Sequence, residues 1–426
     1  WLGEVFLYLG SLAFSLKGLI LVKAALIALA FGLSLAAFWR RETALISATI
    51  GVLAALVLVE RTDVRPEVLS FLFLGWYLFM LFRMPGSRWL WSLPFVQLLW
   101  VNSHIYFFLG PVMYMLFLAH TFIRGERFSW RDRRLSVGLA IVLATFVNPF
   151  GWQGALYPLF LFGNYGYTIV ENQTPFFLKA FGYPQLTSIA LYLGIAVGIL
   201  GFVLNRRHIK ENIFGFGLFL MGTVLALTMV RNFPIFALVM IPVTVKNFYE
   251  AQIYVRASAL YAVGNILLVG LLYSVVSNQL YEQAGLVQRF GLNVPSGAQR
   301  GVDFVRANRI RGPMFNNFDI GSFLIWKLPE EKVFVDGRPE AYPADFIQNV
   351  YIPMQEDETL WRKYSEQYRI NMIFWNTYDI TPWSQMFVRR MMRDRNWPLV
   401  YRDDSTLIFL KRTPENESLI GNPTLQ

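Results

Sequence analysis

The sequence contains no cysteine. Disulfides, thiolate nucleophiles and cysteine-held metals are therefore excluded. It has only three histidines, and neither they nor its carboxylates stand at metal-ligand spacing. A glycine-rich phosphate loop and a Ser-His-Asp set are both missing, which removes the common nucleotide and hydrolase readings. Charge is scarce too. Charged residues make up 15% of the chain, against roughly 25% in soluble domains. No internal repeat or low-complexity segment is present. The chain opens on Trp1 without a signal peptide, and residues upstream of it are expected.

Hydrophobic residues fill the gap, at 55% of the chain, with a mean hydropathy of +0.42. About ten apolar segments are each long enough to approach a bilayer's thickness. They lie near 18–39, 43–60, 67–83, 89–104, 106–123, 135–149, 186–204, 212–229, 232–247 and 258–277. Aromatics such as Trp89, Trp91, Trp100, Trp152 and Tyr157 gather at segment ends, where an interfacial belt is expected. Residues 1–16 are apolar but interrupted by Glu4, which reads as an interfacial helix. The fold class expected is a polytopic α-helical membrane body of about ten spans over 1–277, followed by a soluble α/β domain of mixed sheet over 278–426.

The net charge of +10 is unevenly placed. Residues 278–426 hold 18 basic and 18 acidic residues, whereas residues 1–277 hold 20 and 10. The excess sits in the loops of the membrane body, which argues against a nucleic-acid partner. Fourteen Lys and Arg residues fall on one set of alternating loops and six on the other. The richer set belongs in the cytoplasm by the positive-inside rule. The tail is then extracytoplasmic, in the periplasm if the membrane is a bacterial inner membrane.

Within the tail, 297–309, 319–328, 342–352, 357–368 and 382–394 read as helices. Residues 313–316, 332–335, 370–375, 398–402 and 406–411 read as strands, the last two as a hairpin around Asp403-Asp404.

The polar residues expected at the outer face are the candidates for chemistry. Glu60-Arg61-Thr62-Asp63-Val64-Arg65-Pro66-Glu67 puts five charges on the side that should be poor in Arg. Arg61 and Arg65 could clamp a phosphate with planar donors, with Asp63 in support. A solvated turn with internal ion pairs is the plain alternative. Asn102 and His104 end a span, and the imidazole could donate to a phosphate or be a structural histidine. His120 and His208 read as surface residues of the inner face. Arg231 sits at a tight turn between two spans and could belong to the same anion site or merely snorkel. Glu171, in the long aromatic-rich stretch 150–185, could serve as a base. In the tail, Asp336 and Arg338 follow a strand-like run, where α/β sheets often bind ligands, though Asp-Gly is also an ordinary turn.

The ordered set Trp1-Leu2-Gly3-Glu4, Val64-Arg65-Pro66, Trp100-Val101-Asn102-Ser103-His104, Asn148-Pro149-Phe150-Gly151, Val170-Glu171 and Arg231-Asn232-Phe233-Pro234 carries a resemblance. So do Met314-Phe315-Asn316, Gly321-Ser322-Phe323-Leu324-Ile325-Trp326, Val333-Phe334-Val335-Asp336-Gly337-Arg338 and Trp397-Pro398-Leu399-Val400-Tyr401 in the tail. Together they resemble the GT-C-fold membrane glycosyltransferases, in a bacterial branch similar to protein mannosyltransferases and oligosaccharyltransferases. The resemblance implies a polyprenyl-phosphate-linked sugar as donor and transfer on the outer face. It implies that Arg61, Arg65, His104 and Arg231 hold the donor phosphate. A divalent metal is compatible with such chemistry, and no ligands for one are assigned. The family's catalytic acid would precede Trp1. Glu4 is near that acid's place without taking its role. Two departures stand out: the region of the acid is not in this sequence, and Ile105-Tyr106-Phe107 replaces small glycines after the histidine, where bulky residues could narrow or close a donor groove. A non-catalytic membrane subunit that docks a protein partner through its tail is the competing expectation. A transporter is disfavoured, because few polar residues lie near mid-span.

Overall fold

The computed structural model describes residues 1–59, 63–129, 131–160, 166–167, 170–180, 186–253, 258–283, 290–292, 297–379 and 381–421. The chain forms two compact units. One comprises Trp1–Phe162 and Ile169–Val294, the other Gly163–Thr168 and Pro295–Gln426.

The first unit is helical: α1 (Leu2–Ala37), α2 (Ala44–Leu58), α3 (Glu67–Arg83), α4 (Ser92–Ser103), α5 (Leu109–Ile123), α6 (Arg133–Thr145), α7 (Gly151–Leu156), α8 (Pro175–Ala180), α9 (Leu186–Leu204), α10 (Ile213–Thr228), α11 (Phe233–Glu250) and α12 (Ser258–Val276). Apolar runs with almost no charge favour helices, which satisfy their backbone groups internally. Among the described residues, five stretches are long and apolar enough to cross a membrane: Leu2–Ala37, Arg41–Leu58, Ile105–Ile123, Leu186–Leu204 and Lys210–Thr228. The other five expected spans are also helical, but they do not meet that standard. α4 and α6 are only 12 and 13 residues long, and α11 carries Lys246 and Glu250 near its end.

α1 is two helices joined at a kink: Ser15, at φ 60° and ψ 177°, separates residues 2–14 from residues 16–37, so the N-terminal stretch is a helix of its own, and nothing in the fold tests whether it lies in an interface. α11 is the central element. Every residue from Phe233 to Val245 is buried, and α11 packs on α1, α2, α3, α9 and α10. α1 and α3 approach so closely that a Cβ at Gly75 would lie 2.7 Å from the Ala30 carbonyl oxygen. Small residues allow such backbone approach between helices. Gly75→Leu is therefore expected to force the pair apart and cost about 1–3 kcal/mol. The check is a lower melting temperature of the detergent-extracted protein, with Gly86→Leu, which faces open space, melting as wild type.

The second unit holds a four-stranded mixed sheet: β1 (Met314–Asn316), β2 (Met372–Asn376), β3 (Leu399–Arg402) and β4 (Thr406–Leu410), in the order β1-β2-β4-β3. β1 and β2 are parallel, and the other two pairings are antiparallel. Side chains alternate between faces. Phe315, Ile373, Trp375, Leu407 and Phe409 enter one core with Tyr351, Trp361 and Phe387. Met314, Met372, Phe374, Ile408 and Leu410 enter another with Val302, Val305 and Leu324. Both faces are covered, so these strands read as continuous apolar runs.

One expected strand is absent: residues 332–335 do not join the sheet. Their backbone bonds go to a side chain instead. The Asn316 amide accepts from Phe334 N at 2.8 Å and donates to the Val335 carbonyl at 2.7 Å. The expected hairpin does form, and Asp403 Oδ1 accepts from the Ser405 and Thr406 amides, each at 2.8 Å.

Candidate functional site

The polar residues singled out in the membrane body converge at one end of the first unit. There α3 and α11 begin and α4 and α10 end. Four segments meet: 63–67, 102–106, 170–173 and 229–232. The Val230 amide donates to the Gln173 carbonyl at 3.0 Å, which pins the last two together.

Arg65 Nη1 donates to both carboxylate oxygens of Glu171, at 2.7 and 2.9 Å. Its Nη2 lies 3.2 Å from Asp63 Oδ2. The expected phosphate clamp is thus occupied by carboxylates. Glu171, expected as a base, is held as the counter-ion of Arg65 across 106 sequence positions. Arg61, the other half of the expected clamp, lies outside the described residues.

His104 ends α4 with an extended backbone and caps the turn Ile105–Phe108. Its Nδ1 faces the Ser70 hydroxyl at 3.0 Å. Trp100 Nε1 donates to the same hydroxyl at 2.8 Å. With Trp100 donating to it, the Ser70 hydroxyl is placed to donate its hydrogen bond to Nδ1, and the Tyr106 amide also points there at 3.4 Å. These bonds assign the proton of neutral His104 to Nε2.

Tyr106 is the link that sequence reasoning missed. In sequence it is only one of three bulky residues that stand after the histidine. Its ring stands edge-on to His104 at 4.7 Å, and the Arg231 guanidinium lies 6.0 Å from its centre. Its hydroxyl donates to Asn232 Oδ1 at 2.7 Å. Tyr106 and Phe107 are both buried.

Arg231 is held differently from Arg65. Its Nη1 donates to the neutral Asn172 amide oxygen at 3.0 Å. Its Nε is buried without a hydrogen-bond partner, and among the described residues it makes no ion pair. A buried donor without an acceptor is unfavourable, and a charged one more so. Asn102 plays a positioning part. Its side chain accepts from Trp1 Nε1 at 2.8 Å and donates to the Leu98 and Val147 carbonyls, each at 2.9 Å. The network thus runs from Trp100 through Ser70, His104, Tyr106 and Arg231 to Asn172, beside Glu171, Arg65 and Asp63.

In the second unit, Asp336 and Arg338 engage each other. Arg338 donates from Nε and Nη2 to the two carboxylate oxygens, each at 2.8 Å, and from its amide at 3.0 Å. The Tyr342 hydroxyl adds a bond to Asp336 at 3.0 Å. The Arg338 side chain and then Tyr342 hold this carboxyl below the usual aspartate range, against a burial effect in the other direction. A carboxyl depressed in the folded state gives stability that is present above the ordinary value near 4 and lost as pH falls through the native value. Arg338 is largely exposed, so the contribution is small. Asp336→Asn is expected to flatten the acid limb of unfolding below about pH 4, followed by tryptophan fluorescence in the full chain.

Among the described residues, no group of three or more histidines and carboxylates could hold a metal ion. No family model matches the chain, and no curated protein sequence does.

Proposed function

We infer that the chain is a membrane glycosyltransferase acting on a polyprenyl-phosphate-linked sugar at the end of the bundle that holds Arg231. Arg231 is the observation that carries the reading. A guanidinium with a buried, unbonded Nε and only a neutral amide partner suits an incoming phosphate oxygen. In this reading all ten apolar helices cross or enter a bacterial inner membrane, the Arg-rich loops are cytoplasmic and the tail is extracytoplasmic.

A phosphate entering beside Arg231 would compete with Glu171 for Arg65, and the displaced carboxylate could take the proton of an acceptor hydroxyl or amide. Arg65 would then offset charge on the leaving phosphate. Retaining and inverting outcomes both stay open.

Arg65→Ala is expected to abolish retention of a polyprenyl-phosphate sugar by the purified chain without loss of fold. Retention is read by mass spectrometry of co-purified lipid, and fold by circular dichroism. Unchanged retention would remove the assignment. A second reading, a non-catalytic subunit that scaffolds a partner through its tail, is favoured by the carboxylates already on Arg65 and by the burial of Tyr106 and Phe107. A stable partner captured by the chain, with no lipid-sugar retained, would decide for it.

A further inference from the structure

The first unit has a cavity of about 610 Å³ at its other end, where α3, α5 and α11 finish and α6 and α10 start. Its volume lies within the range of ligand sites, roughly 300–1,000 Å³. One wall is apolar, built from Leu81, Phe82, Phe117 and Phe214.

The charged lining is mostly paired within itself. Arg134 binds Asp132 at 2.8 Å and Glu126 at 2.6 Å. Lys246 binds Glu250 at 2.7 Å, and both bind the Asn212 amide. Arg134 is shared by two carboxylates, so the lining as a whole carries four cations and four carboxylates, and the two cations left outside these pairs are guanidiniums. Arg124 and Arg133 make no ion pair among the described residues, and Arg133 reaches only the Gly86 carbonyl at 3.5 Å. Glu211 is the one lining carboxylate outside those pairs. His120 adds a buried Nδ1 with no hydrogen-bond partner. Two guanidiniums and an imidazole beside an aromatic wall suit an anion with an apolar body.

We propose that this cavity binds a phosphate group, Arg124 and Arg133 supplying the charge, and that the phosphate belongs to an anionic phospholipid whose chains lie on the apolar wall. Basic pockets between membrane helices bind such headgroups by this combination. The proposal does not depend on the reading given for Arg231.

The test uses the full chain, delipidated in neutral detergent. Phosphatidylglycerol and phosphatidylcholine are titrated with native mass spectrometry as readout, and inorganic phosphate is titrated by calorimetry. Wild type is expected to retain phosphatidylglycerol at least tenfold better than phosphatidylcholine. Arg124→Gln with Arg133→Gln should erase that preference. Gly86→Phe should also erase it, because Gly86 lines the cavity and nothing within 4 Å of a Cβ there blocks a larger side chain. The same-face control Arg206→Gln with Arg207→Gln should keep it. If inorganic phosphate binds with the same dependence on Arg124 and Arg133 and the lipid has no advantage, the phosphate site stands and its source is free phosphate. An unchanged preference in both cavity variants, an equal loss in the control, or no binding of any probe would overturn the proposal.

Discussion

Arg231→Gln should weaken binding of a polyprenyl-phosphate lipid by roughly 30- to 150-fold, the equivalent of about 2–3 kcal/mol for a charge-assisted hydrogen bond lost from a partly buried site. The expectation rests on what holds the guanidinium. Asn172 supplies a neutral oxygen and Tyr106 an aromatic ring, and neither cancels its charge. The variant removes a buried donor that has no acceptor, so the lipid-free protein should melt no lower than wild type. This separates a binding role from a structural one. Arg231→Lys keeps the charge but loses the planar fork, and it should fall between the two. Titration of the lipid into nanodiscs holding each variant reads the result. Equal affinity across all three would remove Arg231 from any anion site.

Phe315→Ala should bring the second unit close to unfolding. Phe315 is fully buried in β1 and is surrounded by five rings, those of Phe334, Tyr351, Trp361, Trp375 and Phe387, with centroids 5.0–5.8 Å away. Removing the hub loses its burial and leaves a cavity that stiff aromatic neighbours fill poorly. The cost is about 3–5 kcal/mol, against a total stability of roughly 5–15 kcal/mol for a domain. Hydrogen exchange on the whole chain should show fast exchange over 314–316, 372–376 and 406–410, with α9 to α11 unchanged. Protection equal to wild type in those strands would show that the rings can close over the gap.

Much of this architecture could be read from pattern. α3 and α9 fall on the expected 67–83 and 186–204, because uninterrupted apolar runs bounded by charge or, before α9, by Pro184-Gln185 leave little freedom in a helix's bounds. Residues 332–335 misled for a local reason. Val333-Phe334-Val335 has the residue types of a strand, and nothing in sequence shows that Asn316 will take up its backbone bonds. The candidate site was half legible. Arg65, His104 and Arg231 stood out because charge is rare near helix ends of this polarity. Their partners did not. Glu171 finds Arg65 from 106 positions away, and Tyr106 joins His104 to Arg231 only after the turn Ile105–Phe108 has formed. Long-range pairing of this kind has no periodic signature.

The break at Ser15 leaves 22 residues of α1 beyond it, about 33 Å of helix at 1.5 Å per residue, while the 13 residues of α6 rise only about 20 Å. α6 nonetheless exposes Leu139, Val142 and Leu143 on its outer side. A bilayer with a hydrocarbon core of about 30 Å fits the first height and overshoots the second. In the proposed reading, where α6 also enters the membrane, sealing against both heights would pinch the lipid on the α6 side, so that headgroups ride lower there than beside α1.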